Sequence, residues 1–289
     1  MVDVLLAIYN GEKYLNEQID SFLAQTCQDF RVLIRDDGST DNSISIVNSY
    51  KNKFPDKFVL LQDNLGNINS PLNFMELIKY SSSNYVMLCD QDDVWLPTKI
   101  EDTFNELIKH EKSYPKDYPL LVFTDLKVVD QNLNQIYTSM MDKQRMNPFY
   151  LTKNNYRLIA QNPVAGCTMI LNNSAKNLIL KYPVPIPQIN IVHDHWFSII
   201  ISKFGKVFYL NKQTILYRQH GTNTVGINAI NMKYIIKKLF TIFKTIEFDF
   251  KILKSLPFKI SYLKYIYVKI LVNIKRLRYC FRKASLFFS

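Results

Sequence analysis

Short apolar runs alternate with helix-like segments through the first half of the chain, and no other feature restricts the fold as strongly. Runs rich in β-branched and aromatic residues are predicted to be strands, at residues 2–9, 30–35, 58–62, 85–89 and 120–124. The intervening segments have the pattern of helices, at residues 12–25, 40–50, 72–80 and 98–112. Strands that alternate with helices predict an α/β fold with a mostly parallel central sheet and flanking helices.

The second half is less regular, and we expect it to complete the same body. Strand-like runs at 167–171, 207–209 and 214–217 surround helix-like stretches at 174–182 and 194–204. With 289 residues, of which 47% are hydrophobic, the chain is long enough to bury a full core. It has only 7 glycines and no phosphate-binding G-x-G-x-x-G or Walker loop, which argues against dinucleotide enzymes and kinases.

Polar clusters follow four of the predicted strands at the point where each strand ends. They occupy residues 9–11, 36–41, 64–67 and 90–93. In open α/β sheets, ligands bind in the crevice beyond the carboxyl ends of the strands. The four clusters are therefore expected to converge on one binding crevice.

Three carboxylates crowd the last of these clusters, Asp90, Asp92 and Asp93. Like charges this close repel each other unless protons or a metal ion neutralise them, and an all-oxygen site suits a hard divalent ion such as Mg2+ or Mn2+. The same residues also fit an ordinary strand-to-helix turn, with Asp93 as the N-cap and Pro97 opening the helix. Both interpretations stay open at this point.

The formal charge of +11 is concentrated at the C-terminal end of the chain. Residues 231–289 contain 14 lysines and arginines but only Glu247 and Asp249 as acids, so the preceding part is nearly neutral. Two stretches separated by Pro257 place apolar and basic residues on opposite helix faces. They favour a peripheral contact with an anionic membrane surface over nucleic acid, whereas packing on the body or homodimer formation stays open.

The four cysteines are scattered without paired spacing, which suggests neither a zinc site nor a disulfide framework. No apolar stretch reaches 18 residues, and residues 2–9 lack a signal-peptide pattern. We therefore expect a cytoplasmic protein, held at the inner face of the cell membrane by its basic helices.

Four motifs in this order resemble those of the family 2 inverting glycosyltransferases, and more narrowly their bacterial rhamnosyltransferase-like branch. The motifs lie at residues 6–12, 35–41, 90–97 and 217–221, and Asp194 adds a fifth matching position. The resemblance implies a GT-A nucleotide-sugar fold over residues 1–226, with a donor half at 1–125 and an acceptor half at 126–226. Residues 227–289 would form the basic helical tail.

Donor and metal residues are implied by the same resemblance. Asp37 is expected to hydrogen-bond the pyrimidine base with support from Asp36, and Asp92 is expected to anchor the metal. Many relatives have Thr or Ser at the position of Ala7, so a contact there would come from the backbone. The implied nucleotide-sugar-binding residues are Ala7, Tyr9, Asn10, Asp36, Asp37, Gly66, Asn73, Asp90, Arg218 and His220, and the implied metal ligands are Asp92, Asp90 and His220.

Asp194 is the acidic residue at the place where the family has its general base. Its carboxylate would take the proton from the acceptor hydroxyl as that oxygen attacks the anomeric carbon. The helix that begins here also allows Asp194 to be an N-cap, alone or in addition. Acceptor contacts are expected from Trp95, His193, His195 and Trp196, with a place in the core as the alternative for Trp95.

The activity implied by the resemblance is metal-dependent, inverting transfer of a sugar from a nucleotide diphosphate donor to a saccharide hydroxyl. The favoured donor is dTDP-rhamnose, and the expected acceptor is a lipid-linked oligosaccharide of O-antigen or capsule biosynthesis. A transferase of the same family that uses a UDP-hexose is one alternative. A non-catalytic nucleotide- or carbohydrate-binding protein is the other.

Overall fold

The structure of the chain is a computed structural model that describes residues 1–189, 191–221 and 242–285. The predicted boundary at residue 226 and the first part of the tail, residues 227–241, lie outside the described residues.

Nine strands of the described residues form one sheet with the spatial order β3-β2-β1-β4-β8-β6-β9-β5, and β7 pairs with β6. Their bounds are β1 Val2–Ile8, β2 Phe30–Asp36, β3 Phe58–Leu60, β4 Tyr85–Cys89, β5 Val94–Trp95, β6 Leu120–Val129, β7 Gln135–Tyr137, β8 Met169–Asn172 and β9 Lys206–Arg218.

Helices flank this sheet and follow its strands. Their bounds are α1 Leu15–Leu23, α2 Ser43–Lys53, α3 Ser70–Tyr80, α4 Lys99–Glu111, α5 Met140–Lys143, α6 Pro148–Leu151, α7 Asn155–Ala160, α8 Asn173–Lys181, α9 His193–Phe204, α10 Ile242–Ser255 and α11 Tyr262–Ser285. The α/β fold class predicted from the sequence is confirmed.

Antiparallel β8 separates two parallel parts of the sheet. On one side, β1 pairs in parallel with β2 and β4, and β2 pairs with β3. On the other, β6 pairs in parallel with β9, while β8 lies antiparallel between β4 and β6. The sheet is therefore mixed, with an antiparallel strand between two groups of parallel pairs.

The strand β9 brings its C-terminal end to the acidic cluster at residues 90–93. Its residues were predicted as two strands, but they form one strand whose register against β6 shifts near Asp125. The two-residue strand β5, which the sequence pattern did not indicate, pairs Val94 with Leu216 and Trp95 with Ile215. Residues just after β9 consequently lie beside residues 92 and 93.

The core follows the apolar strands. Val4, Leu5 and Leu6 of β1 are all fully buried, as expected of a continuous apolar run in a strand that is covered on both faces. Each such side chain stabilises the fold by about 1.5–3 kcal/mol relative to an exposed position. Burial of this sheet fixes the strand ends on which the polar clusters lie.

The helices α10 and α11 pack on the body along one side. Their buried residues join the main core, at Ile252, Leu253, Leu256, Tyr265, Val268 and Val272. Asp249 accepts a hydrogen bond from the Tyr265 hydroxyl (2.6 Å) and pairs with Lys269 (2.9 Å), which also donates to the Ala160 carbonyl of α7 (2.9 Å). Removing the two helices would therefore uncover apolar surface of the body.

A second apolar stripe on α11 is left exposed. It consists of Leu263, Ile266, Tyr267, Ile270 and Ile274, with Leu263 82% and Tyr267 62% exposed. In the second of the two stretches separated by Pro257, the sequence pattern predicts an apolar helix face that includes Leu263, Ile266, Ile270 and Ile274. Among the described residues, no helix has both the length and the apolar character needed to cross a bilayer.

Candidate active site

A side-chain clamp joins the end of β1 to the acidic loop, which we define as residues 90–93. Gln91 accepts a hydrogen bond from the Tyr9 backbone N–H (2.7 Å) and donates one to the Tyr9 carbonyl (2.8 Å). A Cβ at Gly11 would lie 2.4 Å from Gln91 Oε1, so only glycine leaves room for the clamp. The clamp leaves the Tyr9 side chain exposed beside the loop.

Asn10 and Asp36 build the turn that faces this clamp. Asn10 has a left-handed backbone (φ 48°), its N–H donates to Ser39 Oγ (2.9 Å), and its Oδ1 accepts from Thr40 N–H (2.8 Å). Asp36 accepts from Gly38 N–H (3.1 Å) and Ser39 N–H (2.9 Å). These contacts give both residues a structural role at the end of the sheet where the donor is expected.

Asp37 is the centre of a buried network that the sequence did not indicate. Its carboxylate accepts hydrogen bonds from the backbone N–H groups of Ile68 and Asn69 (both 2.9 Å) and from Arg35 (2.8 Å). Since a carboxylate has about four acceptor positions, about one remains for the predicted contact with a pyrimidine. Asp37 is only 3% exposed. In this structure its carboxylate holds the loop at residues 63–69.

Arg35 also holds the loop at residues 63–69 in place. Its guanidinium donates to both carboxylate oxygens of Asp63 (2.8 and 3.1 Å) and to the Gly66 carbonyl (3.0 Å). Gly66 itself has a positive φ of 64°, a conformation that favours glycine. Ala7, whose backbone was predicted to contact the base, pairs with Arg35 between β1 and β2.

Asn73 lies behind this network and not on the crevice. The side chain is 1% exposed and its Nδ2 faces the Arg35 carbonyl at 3.5 Å. The side chain therefore lies in the interior, and its predicted contact with the donor stays a prediction.

Two carboxylates of the acidic loop have raised pKa values. Burial, followed by the negative charges of Asp92 and Asp194, raises the pKa of Asp90 to about 7. Burial, followed by Asp92 and Asp90, also raises the pKa of Asp93 well above its usual range. Asp93 is fully buried and accepts the Arg218 backbone N–H (3.1 Å), while the helix α4 has Thr98 at its N-cap. The interpretation of Asp93 as an N-cap is therefore wrong.

His220 lies directly against the acidic loop. Its Nε2 is 2.8 Å from Asp92 Oδ2, and its ring packs on Tyr14 with 5.0 Å between ring centres. Asp92, at the loop, and His220, just after β9, are separated by more than a hundred residues in the chain but meet because β5 pairs with β9. The structure thus brings together two of the three predicted metal ligands.

Arg218 supports the loop and does not face the crevice. It is 1% exposed, and its guanidinium donates to the carbonyls of Asp92 (2.8 Å) and Gln131 (2.6 Å) and to Glu17 Oε2 (2.6 Å). These partners hold the guanidinium inside the protein. In this structure the side chain positions the loop, and its predicted contact with the diphosphate stays a prediction.

The types of side chain at this position would suit a divalent metal ion. Asp92 and Asp90 offer carboxylate oxygens and His220 an imidazole nitrogen, a donor set that suits Mg2+ or Mn2+. The raised pKa of Asp90, caused by burial and by neighbouring negative charges, indicates uncompensated charge that a cation would neutralise. Ligand atoms of Asp90, Asp93 and Cys167 also lie within 4.8 Å of one another.

Asp194 lies in the first turn of α9 and faces the acidic loop. Its carboxylate accepts hydrogen bonds from Gly166 N–H (3.2 Å) and Asn162 Nδ2 (3.2 Å), while the N-cap position belongs to Val192. Burial raises the pKa of Asp194 to about 7, and its charge in turn contributes to the raised pKa of Asp90. A half-buried carboxylate with such a pKa can accept a proton at neutral pH.

The predicted acceptor residues lie mostly in the interior. Trp95 and Trp196 are each 2% exposed and lie in the core, and their predicted acceptor contacts stay predictions. Trp196 Nε1 donates to the Tyr182 carbonyl (2.9 Å). His193 packs on Phe74 with 4.4 Å between ring centres.

Both histidines beside Asp194 are neutral supports of the helix start. Burial lowers the pKa of His193 to about 3 and that of His195 to about 4. His195 Nε2 lies 3.1 Å from the Leu158 carbonyl. Direct contact of these rings with an acceptor stays a prediction.

Residues 3–178 match the family described as Glycosyl transferase family 2, which is more than half of the chain. The chain belongs to this family. Its relatives include the dTDP-rhamnosyl transferase RfbG of Shigella flexneri, which is 29% identical over 247 residues that cover 81% of this chain and 78% of the relative. The glycosyltransferase RT0329 of Rickettsia typhi is 28% identical over 233 residues, covering 80% of this chain and 67% of the relative.

Solved structures share the fold. S. aureus TarS 1-349 superposes with a TM-score of 0.57 at 20% identity, covering 75% of this chain, and this chain spans 60% of the TarS chain. The same protein in complex with UDP-GlcNAc gives a TM-score of 0.62 at 16% identity, covering 96% of this chain and 72% of that one. The mannosyltransferase PcManGT from Pyrobaculum calidifontis, in complex with GDP-Man and Mn2+, gives 0.53 at 15% identity, covering 78% and 58%. The GT-A fold is confirmed.

Proposed function

We propose that this family 2 glycosyltransferase moves a sugar from a nucleoside diphosphate donor to a saccharide hydroxyl, with inversion and with a divalent metal ion. The observation that carries the proposal is the convergence of three elements. The acidic loop after β4, His220 after β9 and Asp194 of α9 meet at one place, where the charge of Asp194 acts on Asp90. Carboxylates collected from distant parts of the chain are typical of a catalytic centre.

In the proposed reaction, Asp194 takes the proton of the acceptor hydroxyl. The acceptor oxygen forms a bond to the anomeric carbon, on the face opposite the leaving group, while the bond from that carbon to the phosphate oxygen breaks. The released nucleoside diphosphate keeps the bonding electrons. Asp92, Asp90 and His220 would hold a divalent metal ion, which would supply positive charge to stabilise the leaving group. Because the pKa of Asp194 is raised to about 7 by burial, the group can hold the proton near neutral pH.

The rest of the site keeps these groups in place. The Gln91 clamp joins the acidic loop to β1, and Arg218 holds the Asp92 carbonyl. Asn162 and Gly166 fix the Asp194 carboxylate by two hydrogen bonds. Such support reduces the reorganisation that a reaction would otherwise require.

A deoxythymidine-diphosphate-rhamnose donor is favoured by the relative RfbG, whose description names that donor. A UDP-hexose is the alternative, since TarS of similar fold binds UDP-GlcNAc. The test is a screen of purified protein against a panel of nucleotide sugars, with Mg2+, with Mn2+ and with EDTA. Release of dTDP from dTDP-rhamnose and of no other nucleotide is the expected result, and selective use of a UDP-hexose would reject the rhamnosyl assignment.

The metal role of the loop is tested on the same screen. We expect Asp92→Asn to remove most transfer, because a neutral amide cannot match a carboxylate as a ligand of a hard cation. The exposed carboxylate of Asp56 offers a matched control, and Asp56→Asn should transfer like the wild type. Full activity of the wild type in excess EDTA would contradict the metal role.

The acceptor is proposed to be a lipid-linked oligosaccharide at the inner face of the cell membrane. This proposal is supported by the exposed stripe of α11 and by the basic residues around it. Leu263→Glu with Ile270→Glu changes exposed positions only, so the body should stay folded. Anionic vesicles should bind the wild type more strongly than this variant at low salt, and equal binding of both would reject the membrane contact.

A further inference from the structure

A lysine of α11 reaches the part of the chain that holds the Asp194 carboxylate. Lys269 donates from Nζ to the Ala160 carbonyl (2.9 Å), and its charge is paired with Asp249 of α10 (2.9 Å). The Asp249 carboxylate also accepts the hydroxyl of Tyr265 (2.6 Å), which fixes the partner of the ammonium group. With 24% of its side chain exposed, Lys269 is directed into the body and not towards solvent.

The Ala160 carbonyl lies at the end of a short helix. Helix α7 spans only Asn155–Ala160, and six residues are too few for a helix that is stable without outside contacts. The last carbonyls of a helix lack partners within it, and a cation at this end also interacts favourably with the helix dipole. Lys269 therefore fixes the end of α7 from a different part of the chain.

Residues 160–166, which we call the base-support segment, lead from this point to the Asp194 carboxylate. Asn162 donates from Nδ2 to Asp194 Oδ1 (3.2 Å), and the Gly166 N–H donates to Oδ2 (3.2 Å). Both oxygens of the carboxylate are thus held by one segment, whose first carbonyl accepts from Lys269.

The packing of the helices leaves a directional role for this hydrogen bond. Helix α11 packs against α7 and buries apolar residues such as Val268 and Val272. Such apolar contacts have little directional preference, whereas a charged donor fixes the carbonyl that it meets in distance and angle. Helix α7 packs in turn against α9, where His195 Nε2 lies 3.1 Å from the Leu158 carbonyl. The position of α7 therefore bears directly on the start of α9, where Asp194 lies.

We propose that Lys269 is a positioning residue for the reaction, which sets the place of the Asp194 carboxylate through the base-support segment. The inference rests on the proposed role of Asp194 as the base. It makes the two C-terminal helices part of the catalytic body, in addition to their proposed contact with a membrane. A displacement of a reacting group by about 1 Å can lower turnover by about 100-fold, so a small shift of the segment is measurable.

The test is a double-mutant cycle between Lys269→Met and Asp194→Asn. Turnover is measured as release of dTDP from dTDP-rhamnose, or of UDP from a UDP-hexose if the screen selects one. We expect Lys269→Met alone to lower turnover by about fivefold to tenfold, since the base is displaced but still present. In the Asp194→Asn background the same substitution should have no further effect, because a side chain that acts through a carboxylate loses its influence when that carboxylate is gone.

Affinity for the nucleoside diphosphate separates positioning of the base from general damage to the site. Calorimetric titration with dTDP or UDP and Mg2+ should give dissociation constants within about twofold for the wild type and Lys269→Met, because only the turnover step depends on the base. Hydrogen exchange is a second readout and needs no donor. A peptide that covers the base-support segment should exchange faster in Lys269→Met than in the wild type.

Lys254→Met is the matched control. Lys254 is an exposed lysine of α10, so this variant removes the same charge from the C-terminal helices and leaves the contact of Lys269 in place. Its turnover and its hydrogen exchange should equal those of the wild type. Lys269→Arg, which keeps a charged donor, should recover part of the turnover. If Lys269→Met does not fold, Lys269→Gln replaces it, since glutamine is shorter than lysine and carries no charge.

The outcomes separate this inference from the proposed function. A loss of turnover by a folded Lys269 variant that disappears in the Asp194→Asn background supports the positioning role. Unchanged turnover or exchange, losses that multiply in the double variant, or an equal loss in Lys254→Met overturn the inference and leave the base intact. If Asp194→Asn itself turns over like the wild type, the proposed base fails, and this inference fails with it.

Discussion

Replacing Asp194 by asparagine should make the protein more stable and nearly inactive. A rise of the Asp194 pKa from 3.8 to about 7, caused by burial, corresponds to about 4 kcal/mol of destabilisation when the carboxylate is charged. The folded pKa lies above the unfolded one, so this destabilisation is absent below about pH 4 and complete above about pH 7. The neutral amide of Asp194→Asn removes this destabilisation.

The expected gain in the free energy of unfolding is smaller than this destabilisation of about 4 kcal/mol. Asp194 is half-buried, and the amide keeps only one good acceptor for Gly166 N–H and Asn162 Nδ2, which loses about 1 kcal/mol. We therefore expect a gain of about 1–3 kcal/mol at pH 8, or about 2–6 °C in melting temperature. Turnover should fall by roughly 100-fold or more, the usual effect of losing a general base.

Calorimetry and a transfer assay on the same samples check both halves of this prediction. The difference in melting temperature between Asp194→Asn and the wild type should shrink as pH is lowered from 8 towards 5. Asp3→Asn is the control, since Asp3 is a fully buried carboxylate paired with Arg31 (2.7 Å), and its loss should destabilise the protein. Reduced stability of Asp194→Asn at pH 8, with normal turnover per folded molecule, would show that Asp194 is only structural.

Three further predictions concern pH, the clamp and the tail. Turnover at saturating metal should rise with pH through about 7. Burial raises the pKa of Asp194 to about 7, and this group must lose its proton before it can act as a base. A rate that is independent of pH between 6 and 8 would contradict this prediction. Gly11→Ala and Gln91→Ala should each lower activity. The double variant should be no less active than the less active single variant, because each of the three variants breaks the same clamp. Additive losses of activity in a double-mutant cycle would exclude a shared clamp. Truncation after residue 226 should expose the surface covered by Ile252 and Leu253 and cause aggregation; a truncated protein with the wild-type melting temperature would refute the packing of α10.

The positions of the first four strands could be predicted because their signals are local. Each of the first four strands is a continuous apolar run that ends in a polar cluster, and the structure has them at nearly the expected positions. The antiparallel strand β8 and the two-residue strand β5 could not be predicted in the same way. Their pairing depends on contacts with β6 and β9, which no local pattern encodes.

The site was predictable as a set of positions but not as a set of roles. Asp92 and His220 lie in contact, while Arg218 and Asn73 are buried in the interior. A sequence shows that a residue is polar and near a strand end, but not which side of the strand its side chain takes. That choice is made by partners such as Glu17 for Arg218, which only the tertiary structure supplies.

The two carboxylates with raised pKa values near 7 differ in what raises them, and this difference separates their roles. Burial is the first cause for both, but neighbouring negative charges add to it only for Asp90, whereas hydrogen bonds from Gly166 and His195 act to lower the pKa of Asp194. A cation at the acidic loop would therefore act most directly on Asp90 and drive off its proton. Asp194 would keep a pKa set mainly by burial, and so would stay able to exchange a proton at neutral pH. Two neighbouring carboxylates with similar pKa values in the free protein would thus become a metal ligand and a base once the donor and its cation bind.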